Sequence, residues 1–271
     1  MKTLQRASYN LISFALITSF MIVGCKKDDG DGQDTGKMYL AKTFTDGKLS
    51  TEYIYGAGET LPSRSNTYDT SGNIQSYRTM KYSNGKFTEI HYYGNTGLSI
   101  GMYKYYYNAY NLLSTSLYYR TDTSTTVYTI GQYYYNSDHV CTMYKYLGAD
   151  STLKWLEKYG FTGKNNTKTE YYNSNDELKA TVVGEYDNMN FPYSDLTALG
   201  TIKQVNNLIE RTSPDADANG KLSIYLGNST LTIPLSHSEF EYNSLNYPIK
   251  ETKTLTANPN VVHVYTYQYK E

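Results

Sequence analysis

The chain has 271 residues, a hydrophobic fraction of 39%, a formal net charge of -1 and 33 tyrosines. This length suits one large all-β domain or two small ones, and no change of composition after the N-terminal segment marks a boundary, so we expect one domain. A charge so close to zero gives no attraction to nucleic acid, and we expect no nucleic-acid partner. The tyrosines supply much apolar area, which favours a folded chain over a disordered one.

Residues 1–24 have the pattern of an export signal. Lys2 and Arg6 precede an uncharged apolar run, Leu11 to Val23, which is short for a membrane span. The run ends in Met21-Ile22-Val23-Gly24-Cys25, which resembles the lipobox of bacterial lipoproteins. We predict cleavage before Cys25 and attachment of lipid to its sulfur, so that the chain meets a membrane through this lipid. An ordinary signal peptide and a transmembrane anchor are the alternatives.

Residues 25–37 are predicted to form a flexible acidic tether. The segment from Lys26 to Gly36 is rich in Asp and Gly and has no apolar residue to bury, as is typical of a solvated linker. Its acidic stretch resembles the signal that exports Bacteroidota lipoproteins to the cell surface, although Lys26 and Lys27 come first. We therefore expect an outer-membrane protein, facing the cell surface in preference to the periplasm.

From Met38 onward, aromatic and β-branched runs alternate with clusters of Asn, Asp and Gly, which is typical of many short antiparallel strands. Asn, Asp and Gly tolerate positive φ and therefore favour tight turns between paired strands. Six such turns are predicted, each after a tyrosine: 68–74, 82–87, 107–112, 135–140, 172–178 and 242–249.

The expected fold is all-β over residues 38–271: a long, twisted antiparallel meander of tyrosine-rich hairpin repeats, curled or partly closed. Residues two apart in a strand share a face, so Tyr103, Tyr105 and Tyr107 are predicted to lie on one face of the sheet. At most one short helix is expected, near 194–199, where Ser194 and Gly200 are suitable ends.

Two features carry a resemblance to known families. The unit Tyr68-Asp69...Gly72-Asn73 resembles the YD repeats of RHS proteins. The wider chain is similar to a family of tyrosine-rich Bacteroidota lipoprotein domains of unknown function. In this sequence the family's two late segments correspond to Tyr186-Asp187-Asn188-Met189-Asn190-Phe191-Pro192 and Tyr242-Asn243-Ser244-Leu245-Asn246-Tyr247-Pro248. The resemblance implies fold and location, and it implies no activity.

The sequence contains no recognised catalytic motif. The four histidines are isolated in sequence, and no phosphate loop, nucleophile elbow or dinucleotide fingerprint is present. Carboxylates on predicted strands, Glu89, Glu157, Glu170 and Glu185, include a glycosidase pair only if the fold brings two of them together. Cys141 lies among strand-forming residues and is interpreted as a buried thiol. We expect no catalytic residues, and enzymatic activity is left uncertain and is not favoured.

One segment resembles the first nine positions of a calcium loop. Asp215, Asp217, Asn219 and Ser223 supply oxygens at suitable positions, with Gly220 between them, but Leu226 stands where an EF-hand has its bidentate Glu. Asn219-Gly220 is also a good hairpin turn. The hairpin is the preferred interpretation; calcium stays open, and no other cofactor is expected.

The aromatic residues give a second binding hypothesis. If Tyr103, Tyr105, Tyr107 and Trp155 are exposed on a sheet, their rings could stack on sugars, and the alternative is that the rings only cover the sheet. The sequence therefore favours a lipid-anchored, non-catalytic binding or interaction module with an unknown protein or glycan ligand. A surface protein that binds or processes glycans, using acidic catalysis, is the alternative.

Overall fold

The computed structural model of the protein describes residues 38–192, 206–226 and 229–270, which form eighteen strands. These ranges contain no α-helix, and none of the described residues belongs to a helix long and apolar enough to span a membrane. The leader, Cys25, the tether and the short helix predicted near 194–199 lie outside the described residues. The strands are β1 Tyr39–Thr45, β2 Lys48–Tyr55, β3 Pro62–Tyr68, β4 Ile74–Ser83, β5 Lys86–Gly94, β6 Ser99–Tyr107, β7 Leu113–Tyr119, β8 Thr129–Tyr135, β9 Cys141–Gly148, β10 Leu153–Thr162, β11 Asn165–Asn173, β12 Leu178–Tyr186, β13 Leu208–Thr212, β14 Leu222–Leu226, β15 Ser229–Ile233, β16 Ser236–Tyr242, β17 Pro248–Leu255 and β18 Asn258–Lys270.

Sixteen of these strands form one closed barrel, in which each strand is antiparallel to both of its neighbours. Strands β1 and β18 close it, with Tyr39 opposite Lys270 and Thr45 opposite Tyr265. The predicted antiparallel meander is thus confirmed, but the sheet closes completely where a curled or partly closed sheet was expected. Complete closure gives the backbone groups of the first and last strands a partner and leaves the sheet without a free edge.

The turns explain why Asn, Asp and Gly recur after the tyrosines. The six predicted turns all join consecutive strands. Five share one geometry, in which the first residue's carbonyl accepts from the fourth residue's N–H and that fourth residue has positive φ. In the YD-like unit, Asp69 Oδ1 also accepts from the N–H groups of Ser71 and Asn73, while Gly72 has a φ of 85°. Asn84-Gly85 instead forms a two-residue turn with both φ angles positive.

The two faces of the barrel wall have different chemistry. Directly paired residues point to the same side of a sheet. The outward residues include many charged side chains: Lys42, Glu52, Arg64, Lys81, Glu89, Lys104, Lys145, Lys158, Lys168, Glu170, Glu185, Glu210, Glu239, Glu241 and Lys250. Tyrosine dominates the inward residues. The alternation of strand residues therefore places most charged strand residues on the outer wall, beside aromatic and aliphatic residues such as Tyr77, Tyr106 and Met143, and most strand tyrosines on the inner wall.

One end of the barrel, called here the tyrosine rim, is held by a repeated hydrogen bond. A tyrosine at or next to the end of a strand donates its hydroxyl to a carbonyl at the start of the preceding strand, over 2.7–2.9 Å, in the pairs Tyr55–Leu40, Tyr82–Pro62, Tyr107–Phe87, Tyr135–Leu113, Tyr186–Asn166 and Tyr269–Pro248. Five of these tyrosines coincide with a register shift toward the following strand. Such a bulge re-aims a side chain, which explains how each ring reaches back across its own hairpin.

The two segments that carry the family resemblance meet at this rim. Asp187 accepts hydrogen bonds from the Tyr242 hydroxyl and from the backbone and side-chain nitrogens of Asn207. Asn190 donates to the carbonyls of Leu245 and Asn246. These bonds bridge the ends of β12 and β16 across β13. They reinforce a weak place in the wall, because β13 and β16 pair through only two residue pairs.

Strands β14 and β15 form a hairpin outside the barrel ladder, between β13 and β16 at the end opposite the tyrosine rim. Its buried residues Leu222, Ile224 and Leu226 pack against Ala180 and Val182, which face inward from β12. Trp155 and Tyr171, also on the inner wall, contact the same cluster. The hairpin therefore covers one sector of the inner wall and makes the main apolar core of the molecule.

Removing one rim hydroxyl tests the contribution of these hydrogen bonds. The substitution Tyr135→Phe is expected to lower the free energy of unfolding by about 1 kcal/mol, because it deletes the bond to the Leu113 carbonyl and little else. Tyr134→Phe is the matched control, since the Tyr134 side chain is exposed, points outward and donates its hydroxyl only to the Gln132 side chain. Its effect should stay within about 0.5 kcal/mol. If both substitutions lower the free energy of unfolding in urea by the same amount, the rim hydrogen bond does not add to the stability of the barrel.

Candidate functional site

The inner wall of the barrel is the candidate site. Its aromatic residues come from neighbouring strands of the ladder and form pairs in contact, such as Tyr103 with Tyr118 at 4.8 Å between ring centroids and Tyr133 with Tyr144 at 4.9 Å. Trp155 stacks on Tyr146 at 3.8 Å. Rings in contact at these distances stabilise one another beyond the area that they bury. The inner wall is thus a continuous aromatic surface across several strands.

Two glycines allow rings to lie along the wall. A Cβ atom at Gly101 would come within 2.7 Å of the Tyr118 ring, and one at Gly131 within 2.9 Å of the Tyr144 ring. Contacts this short are forbidden, so any larger residue would push these rings away from the wall. The glycines therefore let tyrosine side chains lie flat against the strands on the inner face.

The inner wall faces space that water can reach. A barrel of sixteen strands is wide enough to leave room inside its layer of side chains. Tyr53, Tyr105, Tyr144 and Tyr159 all point inward from the wall, yet each is only half-buried. We interpret this exposure as contact with the barrel lumen. Rings that are enclosed by the wall but accessible from the lumen can serve as a binding surface.

The enclosed rings are held in the neutral form. Burial raises the pKa of the Tyr133 hydroxyl and that of the Tyr186 hydroxyl to about 12. Burial also raises the pKa values of Tyr105, Tyr144 and Tyr159 well above the ordinary tyrosine value. The lumen wall therefore presents phenol groups, which donate and accept hydrogen bonds, throughout the physiological pH range.

A few ionisable side chains stand among the rings. Arg78 lies on β4, and Glu157 on β10 accepts hydrogen bonds from the Tyr159 hydroxyl at 2.8 Å and Trp155 Nε1 at 3.4 Å. Burial raises the pKa of the Glu157 carboxyl. Glu251 on β17 is paired with Lys253 at 3.0 Å and also accepts from the Tyr267 hydroxyl.

The carboxylates considered for acid catalysis are not brought together. Glu157 faces the lumen, whereas Glu89, Glu170 and Glu185 face outward. Glu89 binds Lys81 and His91, both at 2.8 Å, and these partners lower its pKa to about 2. A glycosidase needs two carboxyl groups flanking one bond, and these four residues do not supply that arrangement.

The segment that resembles a calcium loop forms a five-residue turn from Asp217 to Lys221. Asp217 Oδ1 accepts from the N–H groups of Asn219 and Lys221, and Asp215 Oδ2 accepts from the N–H of Thr181. Ser223 lies in β14, beyond the turn. Within the described ranges no group of three or more His, Cys, Asp or Glu side chains is placed to hold a metal. The carboxylates of Asp215 and Asp217 accept hydrogen bonds from backbone N–H groups, which favours a turn without calcium.

The predicted aromatic residues do share a face, though it is the inside of a barrel. Tyr103, Tyr105 and Trp155 point inward and are half-buried, and Tyr107 lies at the tyrosine rim. The sequence did not single out Arg78, Tyr53 or the Tyr133–Tyr144 pair, because a lone residue in a strand carries no signal of the neighbour it will meet. Cys141 is buried, as predicted, and burial raises the pKa of its thiol to about 12.

Alkaline titration tests the enclosed state of the tyrosines. Their pKa values are raised on folding, so their contribution to stability is complete below about pH 10 and is lost as the pH rises toward about 12. The urea midpoint of unfolding should fall over this interval. Phenolate absorbance should lag behind that of free tyrosine until the barrel unfolds. Ordinary titration near pH 10 by a protein that stays folded would contradict an enclosed aromatic wall.

Calcium binding at the 217–221 turn has its own test. The melting temperature should not change with added calcium or a chelator, because the Asp217 carboxylate is occupied by two backbone donors. Asp217→Asn keeps an acceptor oxygen and should preserve the fold. A calcium-dependent rise in melting temperature in the wild type that Asp217→Asn abolishes would restore the calcium interpretation.

Comparison with known proteins gives a likeness of shape. No family model matches the chain, and no curated protein matches it. Among solved structures, the chain is similar to a porin-like protein from Bacteroides uniformis, with 6% identity, 85% of this chain and 96% of that chain covered, and a TM-score of 0.48. It is also similar to a porin-like protein from Bacteroides vulgatus, with 14% identity, 86% and 99% covered, and a TM-score of 0.46. These values are too low to carry a function from those proteins to this chain.

Proposed function

We propose that this protein is a non-catalytic binding module of the bacterial outer membrane, in which a water-exposed barrel is held at the membrane by a lipid on Cys25. The observation that carries the proposal is the charged outer wall. On this wall Glu89 of β5 lies between Lys81 of β4 and Lys104 of β6. Similarly, Lys158 of β10 lies opposite Glu170 of β11, and Lys168 lies on the same face of β11. A face built in this way is suited to water.

Lipid around the barrel would be incompatible with these charges. A barrel that spans a membrane presents an apolar band to lipid, and each Lys or Arg at the bilayer midplane costs about 2–4 kcal/mol. The charged residues here lie in the central parts of the strands as well as at their ends. Several strands are also short: β1, β3 and β7 have 7 residues each and β13 has 5, against the roughly 9–11 of a membrane strand.

A lipid on Cys25 would explain how such a barrel stays at the membrane. The lipobox-like segment ends at Cys25, and the described barrel begins with β1 at the tyrosine rim. Residues 25–37 would then connect the lipid to that rim as a solvated tether. The tyrosine rim would lie nearer the membrane, and the hairpin of β14 and β15 would lie at the far end. The acidic tether supports the cell surface as the side on which the barrel stands.

The binding surface in this proposal is the aromatic inner wall. Phenol rings stack on sugar rings and their hydroxyls bond to sugar hydroxyls, so a glycan is the ligand class that the wall suits best. An exposed protein-binding edge is a weaker alternative, because the barrel sheet is closed and the strands of the separate β14–β15 hairpin have only 5 residues each. Glycan processing with acidic catalysis is disfavoured by the separation of Glu157 from the outward-facing Glu89, Glu170 and Glu185.

The substitution Cys25→Ala separates a lipid anchor from a membrane-spanning barrel. Without the lipid, the protein is expected to move from the membrane fraction to the soluble fraction of the producing cells, because nothing else in the proposal holds it to lipid. Cys141→Ala is the control, since Cys141 is buried in the wall and should leave the distribution unchanged. Cell fractionation and immunodetection, with labelled fatty acid incorporated in parallel, provide the readout.

A Cys25→Ala protein that folds and remains in the membrane fraction would contradict the proposal and favour a barrel that spans the bilayer. Protease treatment of intact cells then decides the side of the membrane. Loss of the wild-type protein is expected for surface display. Protection from protease would place the barrel in the periplasm.

A further inference from the structure

One sector of the inner wall combines a cation with hydroxyl groups. Tyr53 on β2, Ser65 on β3, Arg78 on β4 and Tyr92 on β5 are direct ladder partners, so they form a row across four adjacent strands. All four side chains point into the barrel. Tyr53, Arg78 and Tyr92 are half-buried, which leaves them in contact with the lumen. This row is called the Arg78 row below.

The guanidinium of Arg78 has only neutral partners. Its Nε donates to Ser65 Oγ over 2.8 Å, Tyr92 is its direct ladder partner on β5, and the hydroxyls of Tyr53 and Tyr92 are close enough to interact with its charge. Among the described residues, no carboxylate lies within ion-pair distance of Arg78. Glu251 and Lys253, which also face inward, form an ion pair at 3.0 Å and so neutralise each other. The Arg78 row therefore carries an uncompensated positive charge inside the wall.

An uncompensated charge in an enclosed site is costly, and an anion that enters the site removes that cost. The hydroxyls of Tyr53 and Tyr92 each carry a proton that can be donated to an acceptor. No acceptor for either proton lies within hydrogen-bond distance among the described residues. The guanidinium and two hydroxyl donors are thus available together, and charge-assisted bonds of this type are the strong ones.

Aromatic rings adjoin the row on the side of β6. Tyr92 contacts the Tyr103 ring edge to face at 6.0 Å, and Tyr103 is stacked with Tyr105 at 6.0 Å. Tyr105 is also close enough to Arg78 to interact with its charge. Donors for an oxyanion thus lie next to rings on which a sugar can stack.

We infer that the Arg78 row binds the carboxylate of an acidic sugar, with Tyr92, Tyr103 and Tyr105 forming the surface against which the sugar ring packs. The inference rests on the proposed function and gives its ligand class: a glycan containing uronic acid. Neutral glycans lack a carboxylate to pair with Arg78, and a small inorganic anion lacks a sugar ring to pack against the tyrosines.

Calorimetric titration of the purified full-length protein tests the inference with three probes: trigalacturonate, neutral galactotriose and sodium sulfate. Trigalacturonate is expected to bind at least about tenfold more tightly than either of the others. Arg78→Gln should weaken trigalacturonate binding by about tenfold or more, and Tyr53→Phe should weaken it by about threefold. Arg64→Gln is the matched control, because Arg64 points outward and lies over the Tyr77 ring.

Unchanged affinity for trigalacturonate in a folded Arg78→Gln protein would overturn the inference. If Arg78→Gln does not fold, the Tyr53→Phe protein provides the test. Wild-type affinity of that protein for trigalacturonate would also overturn the inference. If galactotriose binds as tightly as trigalacturonate, the anion site is overturned. If sulfate binds as tightly as trigalacturonate, the assignment of an acidic sugar as the ligand is overturned. Failure of all three probes would also overturn the inference. Binding to a neutral glycan array in that case would leave the proposed function standing.

Discussion

Pairing between β1 and β18 is the constraint on which the other features depend. Once the sheet closes, the first and last strands pair with each other, and each side chain of the wall faces either solvent outside or the lumen inside. The alternation of the strands then places most of the charged residues on the outer wall and most of the tyrosines on the inner wall. Without closure, the same tyrosines would cover an exposed sheet, and Arg78 would be an ordinary surface residue with no reason to need an anion.

Tyrosine suits this architecture better than leucine would. An aliphatic lining needs a tightly filled interior, whereas a tyrosine ring can lie along the wall and keep its hydroxyl in contact with water, backbone or a neighbouring side chain. The rim uses the hydroxyl for carbonyls, as Tyr82 does with Pro62, and the inner wall uses it for a carboxylate, as Tyr159 does with Glu157. The larger of the two clusters of buried apolar residues in the described ranges lies where the β14–β15 hairpin packs against β12.

Local features were predictable from the sequence, and long-range features were not. Turn chemistry such as Asp69 with Gly72 is encoded within five residues, so the strand boundaries and the antiparallel class followed from it. Closure depends on residues at opposite ends of the described chain, and no local pattern reports it. The Arg78 row depends on four strands coming into register, so its members looked like unrelated residues. Tyr103, Tyr105 and Trp155 share one face of the sheet, but the sequence could not tell an exposed sheet from a lumen.

The tyrosine bonds of the rim have a consequence for how the barrel could grow or shrink. Each of these bonds ties a strand to the one before it, as in the Tyr107–Phe87 pair, so a hairpin together with its terminal tyrosine is a self-contained unit of the wall. Inserting or deleting one such unit keeps every remaining strand antiparallel to its neighbours. Inserting a single strand would reverse the direction of all that follow and place β1 parallel to β18. The circumference, and with it the size of ligand admitted, is therefore adjustable only in steps of two strands.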